Sequence, residues 1–309
     1  MPLLVAELNR LYHEREAAVY ECTHPEIFEQ LPAKWLEMTT FADCLHAADG
    51  KLSVLDFGCG TGFEARQCLE TFAANSVERM VCYDPSTHML DQCRGTLAKW
   101  RNKVEFVGDL GNLIGGFNLL LTNSVLHHLV DPVRAIREIE PLLTRAAVWL
   151  CGHEPSRRFV GNPECRSVLR RYRVRHQWQR LLSPSNYVRR LQRWASVVEL
   201  PEDYAARRAF EEALFERQPP GHLVGGLVDF HVIEDESALR EEKGLDFRHL
   251  QAAFAGEWDL EWRRTYSFLG PHYEGRLPAR WQRAARGLAE AYPDDGANCC
   301  LVWRRSPPQ

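Results

Sequence analysis

The sequence has no apolar stretch long enough to cross a bilayer. Its longest apolar runs, 146–151 and 223–228, fall far short of the roughly 20 residues a spanning helix needs. The first residues, Met1 to Glu7, reach a charge after a few apolar positions, which is not the layout of a signal peptide. A cytoplasmic protein without a membrane anchor is expected. No Cys-x-x-Cys pair and no His-Glu-x-x-His run occurs, and the 10 cysteines are scattered, so they read as reduced thiols. A metal site would have to be assembled from residues distant in sequence, and none is expected. Long Gly/Ser/Pro tracts are absent too; with 45% hydrophobic and 26% charged residues the chain has the composition of a packed protein. Nor is there an excess of positive charge. Lys plus Arg number 38 against 42 Asp plus Glu, a net charge of −4, which excludes a global polycation built for nucleic acid phosphates.

The 309 residues suffice for one elaborated α/β domain. Residues 1–50 read as a helical arm, with Leu4, Leu8, Leu11 and Tyr12 at helical spacing before a break near Cys22 to His24. Thr23 and Glu26 then make a capping-box pattern around Pro25. The apolar set Ile27, Phe28, Leu31, Trp35 and Leu36 follows, and Pro32 predicts a division into two short helices. From Leu52 short β-type runs alternate with helical ones: 53–57, 79–83, 104–107, 119–122 and 146–151. Such alternation predicts a parallel sheet with crossover helices over residues 51–155. A helix-rich insertion is expected over 156–220, ending at Pro219-Pro220-Gly221, with strand signals resuming at 258–268 and 299–303 within a C-terminal part of the sheet, 221–309. The insertion leaves the sheet just after residues 151–155, at a strand's C-terminal end, where doubly wound folds bind ligands; it is therefore expected to form a cap.

The sharpest chemical signal is Val54-Leu-Asp-Phe-Gly-Cys-Gly-Thr-Gly62, an apolar strand running into three alternating glycines and then a helical segment. Glycines let the backbone turn tightly and approach a ligand where a Cβ would collide. The next strand ends in Asp84, roughly 20 residues further on, as expected for a carboxylate that receives ribose hydroxyls. The ligand should therefore contain a nucleoside.

At these residues the chain resembles the class I S-adenosylmethionine-dependent methyltransferases. The likeness continues through Asp84-Pro-Ser-Thr-His-Met-Leu90, Gly108-Asp-Leu110 and Asn123-Ser-Val-Leu-His-His-Leu129, and covers residues 50–155 well. It implies a Rossmann-like doubly wound sheet with S-adenosylmethionine as cofactor. It places Asp56 and Gly58 near the methionine end, with Gly60 and Gly62 in the same turn, Asp84 on the ribose, Asp109 and Leu110 at the adenine, and Asn123 beside the sulfonium. One departure is Asn118, where the family has an acid after Phe; a change of loop packing is expected there.

His127 and His128 are base candidates near the transfer site, and a hydrogen-bonded structural role fits either of them equally. Tyr12 and Tyr20 in the arm, and Tyr172 and Trp178 in the cap, are aromatic rings that can face a sulfonium; Tyr172 joins the two histidines as a catalytic candidate. Phe57 and Cys59 read as packing residues. The insertion carries 14 Arg against 7 acids, interleaved with aromatics, a pattern that invites a nucleic-acid reading. Arg outnumbers Lys 33 to 5 along the whole chain, however, so solvated helix faces account for it and a nucleic-acid partner is not expected.

The expected function is methyl transfer to a small molecule, since the Asn/Asp-Pro-Pro-Tyr/Phe tetrapeptide of the amino-methylating nucleic acid enzymes is missing. Two alternatives stay open. One is a cyclase acting on S-adenosylmethionine alone, in which the α-amine attacks Cγ to give azetidine-2-carboxylate and methylthioadenosine. The other is a binding protein without catalysis. Nothing in the sequence identifies an acceptor or an oligomeric state.

Overall fold

The computed structural model describes residues 10, 13–14, 17–18, 20–41, 51–72, 76–111, 113–129, 131–182, 244–269, 275 and 277–306. The expectations for Leu4, Leu8, Leu11, Tyr12 and Pro219-Pro220-Gly221 lie outside these residues, as does the insertion beyond Leu182. The chain divides into two compact units, one formed by Met1–Arg166 with His231–Gln309 and the other by Ser167–Phe230. Among the described residues no helix is long and apolar enough to cross a membrane.

The first helix of the first unit whose bounds are described is α1 (Tyr20–Thr23), followed by α2 (Pro25–Phe41). It continues through β1 (Leu52–Phe57), α3 (Phe63–Thr71), β2 (Val77–Tyr83), α4 (Thr87–Thr96), β3 (Val104–Val107), β4 (Phe117–Asn123), α5 (Pro132–Ile139), β5 (Leu143–Pro155) and α6 (Arg157–Gly161). The helix α7 (Pro163–Leu182) starts in this unit and runs into the second. After the insertion come α8 (Phe247–Ala253), β6 (Trp258–Tyr266), α9 (Ala279–Ala291) and β7 (Asn298–Arg305).

The strands form one sheet in the order β3-β2-β1-β4-β5-β7-β6. The first five are parallel, while β7 runs antiparallel to both β5 and β6. This is the doubly wound class expected from the alternating pattern. Both faces of the sheet are covered, so the central strands carry apolar runs whose successive residues enter opposite cores. Val54, Leu119, Leu121, Val148 and Leu150 pack on one face. Leu55, Leu120, Ala147, Trp149 and Cys151 pack on the other, where Trp149 stacks on its strand partner Trp303 at 5.7 Å.

Pro32 corrects one expectation: α2 is a single helix with Pro32 inside it. A proline there removes one backbone hydrogen bond and costs about 3 kcal/mol. Leu31, Trp35 and Met38 offset this by being fully buried on the sheet face, at about 1.5–3 kcal/mol each. Trp35 Nε1 also donates to Thr71 Oγ1 of α3 at 2.9 Å, which ties the arm to the core. Asn118 lies in β4 and not in a loop. Its Oδ1 accepts from Ser53 N and its Nδ2 donates to Lys51 O, both at 2.9 Å, joining the starts of β1 and β4. Leu245 closes onto the end of β5, where its N donates to Pro155 O at 2.7 Å and its O accepts from Arg157 N at 3.2 Å. Eight cysteines, from Cys59 to Cys300, are buried free thiols.

Candidate active site

The chain leaves β1 through a turn in which Gly58, Gly60 and Gly62 take φ values of 76°, 51° and 82°, in the left-handed region that favours glycine. At Gly58 space decides as well as φ, because a Cβ would stand 2.6 Å from Val125 Cγ2. The turn is pinned to the end of β2, with Gly58 N and Cys59 N both donating to Tyr83 O at 2.8 and 2.9 Å. Asp84 holds it from below. Its Oδ2 accepts from Gly60 N at 2.9 Å and its Oδ1 from Ser86 N at 2.8 Å. Burial pushes the Asp84 carboxyl up to about 6, against the pull of those two N–H donors.

The turn forms one wall of a cavity of about 210 Å³. Of the residues singled out in the sequence, Asp56, Gly58, Gly60, Asp84, Asn123 and His128 line it. Tyr20, Ile27 and Phe28 of the arm face it from another side. Gly62 lies deeper, where a Cβ would come within 2.7 Å of Cys93 Sγ. Asp109 and Leu110 follow β3 outside the lining; the Asp109 carboxylate accepts from Gly111 N at 3.0 Å, and Leu110 packs against the second core. Tyr172 is a buried residue of α7 in the second unit.

Four acceptor oxygens on three residues around this cavity have no donor: Asp56 Oδ2, both oxygens of Glu64, and Asn123 Oδ1. All three residues line it. Asp56 and Glu64 are buried, and burial is the first cause that pushes both carboxyls well above their usual range. A Cβ on Gly152 would meet Asn123 Oδ1 at 2.8 Å and Glu64 Oε1 at 3.3 Å, so this glycine lets β5 pass close to both. Acceptors buried without donors are costly unless a ligand completes them. A primary ammonium, with three N–H donors and a positive charge, is the group they fit. Together with Asp84 at the end of β2, they make a site for an amino acid joined to a nucleoside, and the residues present fit S-adenosylmethionine.

Behind Asn123 the chain turns sharply, with Ser124 at a φ of 57°, and one buried side chain organises the 125–127 loop beyond it. Glu154 Oε1 accepts from Val125 N and Leu126 N, each at 2.9 Å. Its Oε2 lies 2.7 Å from His127 Nδ1 and accepts from His127 N at 3.3 Å. Burial pushes this carboxyl up to about 7 despite the three backbone donors. The two histidines differ accordingly: His127 is 3% exposed and locked by Glu154, while His128, stacked on it at 4.1 Å, faces the cavity. Next to Glu154, His153 takes a φ of 51°; its Nδ1 is 2.7 Å from the Tyr266 hydroxyl, and burial lowers its pKa to about 4.

Sequence reasoning missed Glu64 and Glu154. Neither stands out locally: Glu64 lies in the first turn of α3, which also carries Arg66, Gln67 and Glu70, and Glu154 follows His153 at the end of β5. The contact of Tyr266 with His153 spans 113 residues and has no local signal.

Residues 55–148 match the family model described as a methyltransferase domain. Among curated proteins no match is found. Similar solved structures include a DhpI complex with SAH (19% identity, 50% of this chain and 72% of that chain, TM-score 0.39). The plantazolicin methyltransferase BpumL with SAH is similar at 11% identity, over 98% of this chain and 99% of that chain, with a TM-score of 0.44. A SAM-dependent methyltransferase from Aquifex aeolicus is similar at 16% identity over 38% and 64%, with a TM-score of 0.31. The matched residues span the central strands and the glycine turn, and the cofactor of such a domain is S-adenosylmethionine.

Proposed function

We propose that this chain, whose residues 55–148 are a class I methyltransferase domain using S-adenosylmethionine, transfers the methyl group to a small-molecule nucleophile. The observation that carries the small-molecule reading is the wall the arm sets against the glycine turn. Thr61 Oγ1 donates to Glu21 Oε1 at 3.2 Å, and Phe28 packs edge-on against Phe63 at 4.9 Å, so the cavity is covered on the arm's side. An acceptor must fit beneath that cover, which suits a small compound better than a polymer.

When bound, the cofactor supplies an electrophilic methyl on a positively charged sulfur. The chain's own residues position the reactants and exclude water. Asp56, Glu64 and Asn123 receive the ammonium; Asp84 receives ribose hydroxyls while keeping the glycine turn closed. The adenine end is assigned to the wall at Pro85, Ser86 and Met89, with Asp109 and Leu110 beyond it. Tyr20 and Phe28 dry the site from the arm. His128 is the group placed to take a proton from a hydroxyl or amine acceptor, and His127 is a positioning residue that fixes the loop through Glu154. Tyr172 is assigned no role. The test is chromatography of cofactor incubated with the purified chain and a panel of small hydroxyl, amine and acid acceptors. Acceptor-dependent S-adenosylhomocysteine supports the reading, and its absence across the panel counts against it.

One observation favours the cyclase as a second reading. The buried Glu64 carboxyl, raised well above its usual range and without a donor, can take a proton from the ammonium and so free the amine that would attack Cγ as the bond to sulfur breaks. Methylthioadenosine formed without any acceptor would establish that route in place of methyl transfer.

A further inference from the structure

Beneath the glycine turn, three thiols converge that methyl transfer does not use. Cys59 sits between Gly58 and Gly60, Cys82 is on β2 and Cys93 is on α4. Their sulfurs lie within 4.8 Å of one another, and all three residues are buried free thiols. The local geometry forces the approach. Cys59 N donates to Tyr83 O, one residue past Cys82, and the missing Cβ of Gly62 makes room for the Cys93 sulfur. Among the described residues no histidine nitrogen or carboxylate oxygen joins the group at that spacing. The donor set is three sulfurs.

We infer that Cys59, Cys82 and Cys93 form a three-sulfur site for a soft, thiophilic ion directly behind the cofactor cavity, whose lining Cys59 shares. A trivalent ion with a lone pair sits above its three sulfurs, and at about 2.3 Å with angles near roughly 95° it holds them about 3.4 Å apart. Starting from separations of at most 4.8 Å, each pair closes by no more than about 1.4 Å. Small rotations about the Cα–Cβ bonds supply that movement. Structural zinc requires a fourth ligand, which the group lacks. Charge then selects among the ions that accept three sulfurs, because net charge is costly in a buried place. Three thiolates leave two negative charges around Cu(I) and none around trivalent arsenic, so trivalent arsenic is the ion this site fits. The exchange balances without any redox change. Three As–S bonds replace the three As–O bonds of arsenous acid, and the three thiol protons leave with the three hydroxyls as water. Binding would staple the glycine turn, β2 and α4 together.

The experiment is X-ray absorption at the arsenic edge on the full chain, loaded with arsenite in a non-thiol reductant. The expected result is one arsenic per chain with three sulfurs and no oxygen in its shell, and a melting temperature raised by several degrees. Cys93→Ser should reduce uptake at least tenfold, while Cys165→Ser, elsewhere in the core, leaves it unchanged; calorimetry with S-adenosylhomocysteine checks that both variants are folded. A shell that keeps oxygen, or uptake that Cys93→Ser does not reduce, would overturn the assignment. Capture of Cu(I) from a competing chelator by a chain that ignores arsenite would overturn it as well, by refuting the charge argument.

Discussion

Glu154 is the residue whose removal the structure makes most costly. Replacing it with Ala strips the partners from Val125 N, Leu126 N and both nitrogen contacts of His127, in a place with no solvent access. Each buried donor left unsatisfied costs about 1–3 kcal/mol, and loss of a hydrogen-bonded buried group as a whole costs about 3–5 kcal/mol. At roughly 2–4 °C per kcal/mol, Glu154→Ala should melt about 6–20 °C below the wild type. Glu154→Gln should behave differently. The side-chain oxygen can still accept from Val125 N and Leu126 N, and the amide can donate to His127 Nδ1 as a protonated carboxyl does, so near pH 6 the cost should stay under about 1.5 kcal/mol. The pH dependence separates the two further. The folded carboxyl is raised from its ordinary 4.5 to about 7, so the folded state holds the proton more tightly than the unfolded one. The stability contributed is full below about 4.5 and is lost as pH rises to about 7, with a slope of up to about 1.4 kcal/mol per pH unit. Urea unfolding from pH 5 to about 8 should show this slope in the wild type and a flatter profile in Glu154→Gln. The reasoning is refuted if Ala is no worse than Gln, or if the two pH profiles run parallel.

Gly58→Ala should abolish cofactor binding and lower stability by about 1–3 kcal/mol, since the added carbon meets Val125 at 2.6 Å on a backbone with a φ of 76°; calorimetry and thermal melting check both. Asp84, with its carboxyl raised to about 6, accepts hydroxyl donors best when ionised, so cofactor affinity should rise with pH up to about 6 and level off above it. Below that value the loss should approach about tenfold per pH unit, measured by titration of S-adenosylhomocysteine. Glu64→Gln keeps the shape but not the charge. It should weaken S-adenosylhomocysteine about tenfold or more while leaving methylthioadenosine, which has no ammonium, within about twofold.

Much of this fold is legible in the chain because the sheet is covered on both faces. Short apolar runs such as 119–122 and 146–151 can hardly be anything but buried strands, and the structure extends them to Phe117–Asn123 and Leu143–Pro155. The extension of β5 matters most: its last residues look like the start of a loop in the sequence, yet set Glu154 against the 125–127 loop. The glycine turn and Asp84 are legible because close approach to a ligand restricts residue type locally. Pro32 misleads because tertiary burial of Leu31, Trp35 and Met38 outweighs a local preference. The Glu64 acceptor, the Glu154 clamp and the three-thiol group depend on contacts between strands and helices far apart in sequence, and no local pattern encodes them.

The most direct test of the cofactor assignment is a calorimetric cycle on Asp84. Wild type and Asp84→Ala would each be titrated with S-adenosylhomocysteine and with its analogue lacking the ribose hydroxyls. The account predicts a dissociation constant near micromolar for the wild type, about −8 kcal/mol, weakened about 10- to 100-fold by removing either the carboxylate or the hydroxyls. Removing both should cost little more than removing one, because the two groups bond to each other. Additive losses, or a variant that binds as the wild type does, would contradict the placement of the nucleoside on Asp84 and the site built around it.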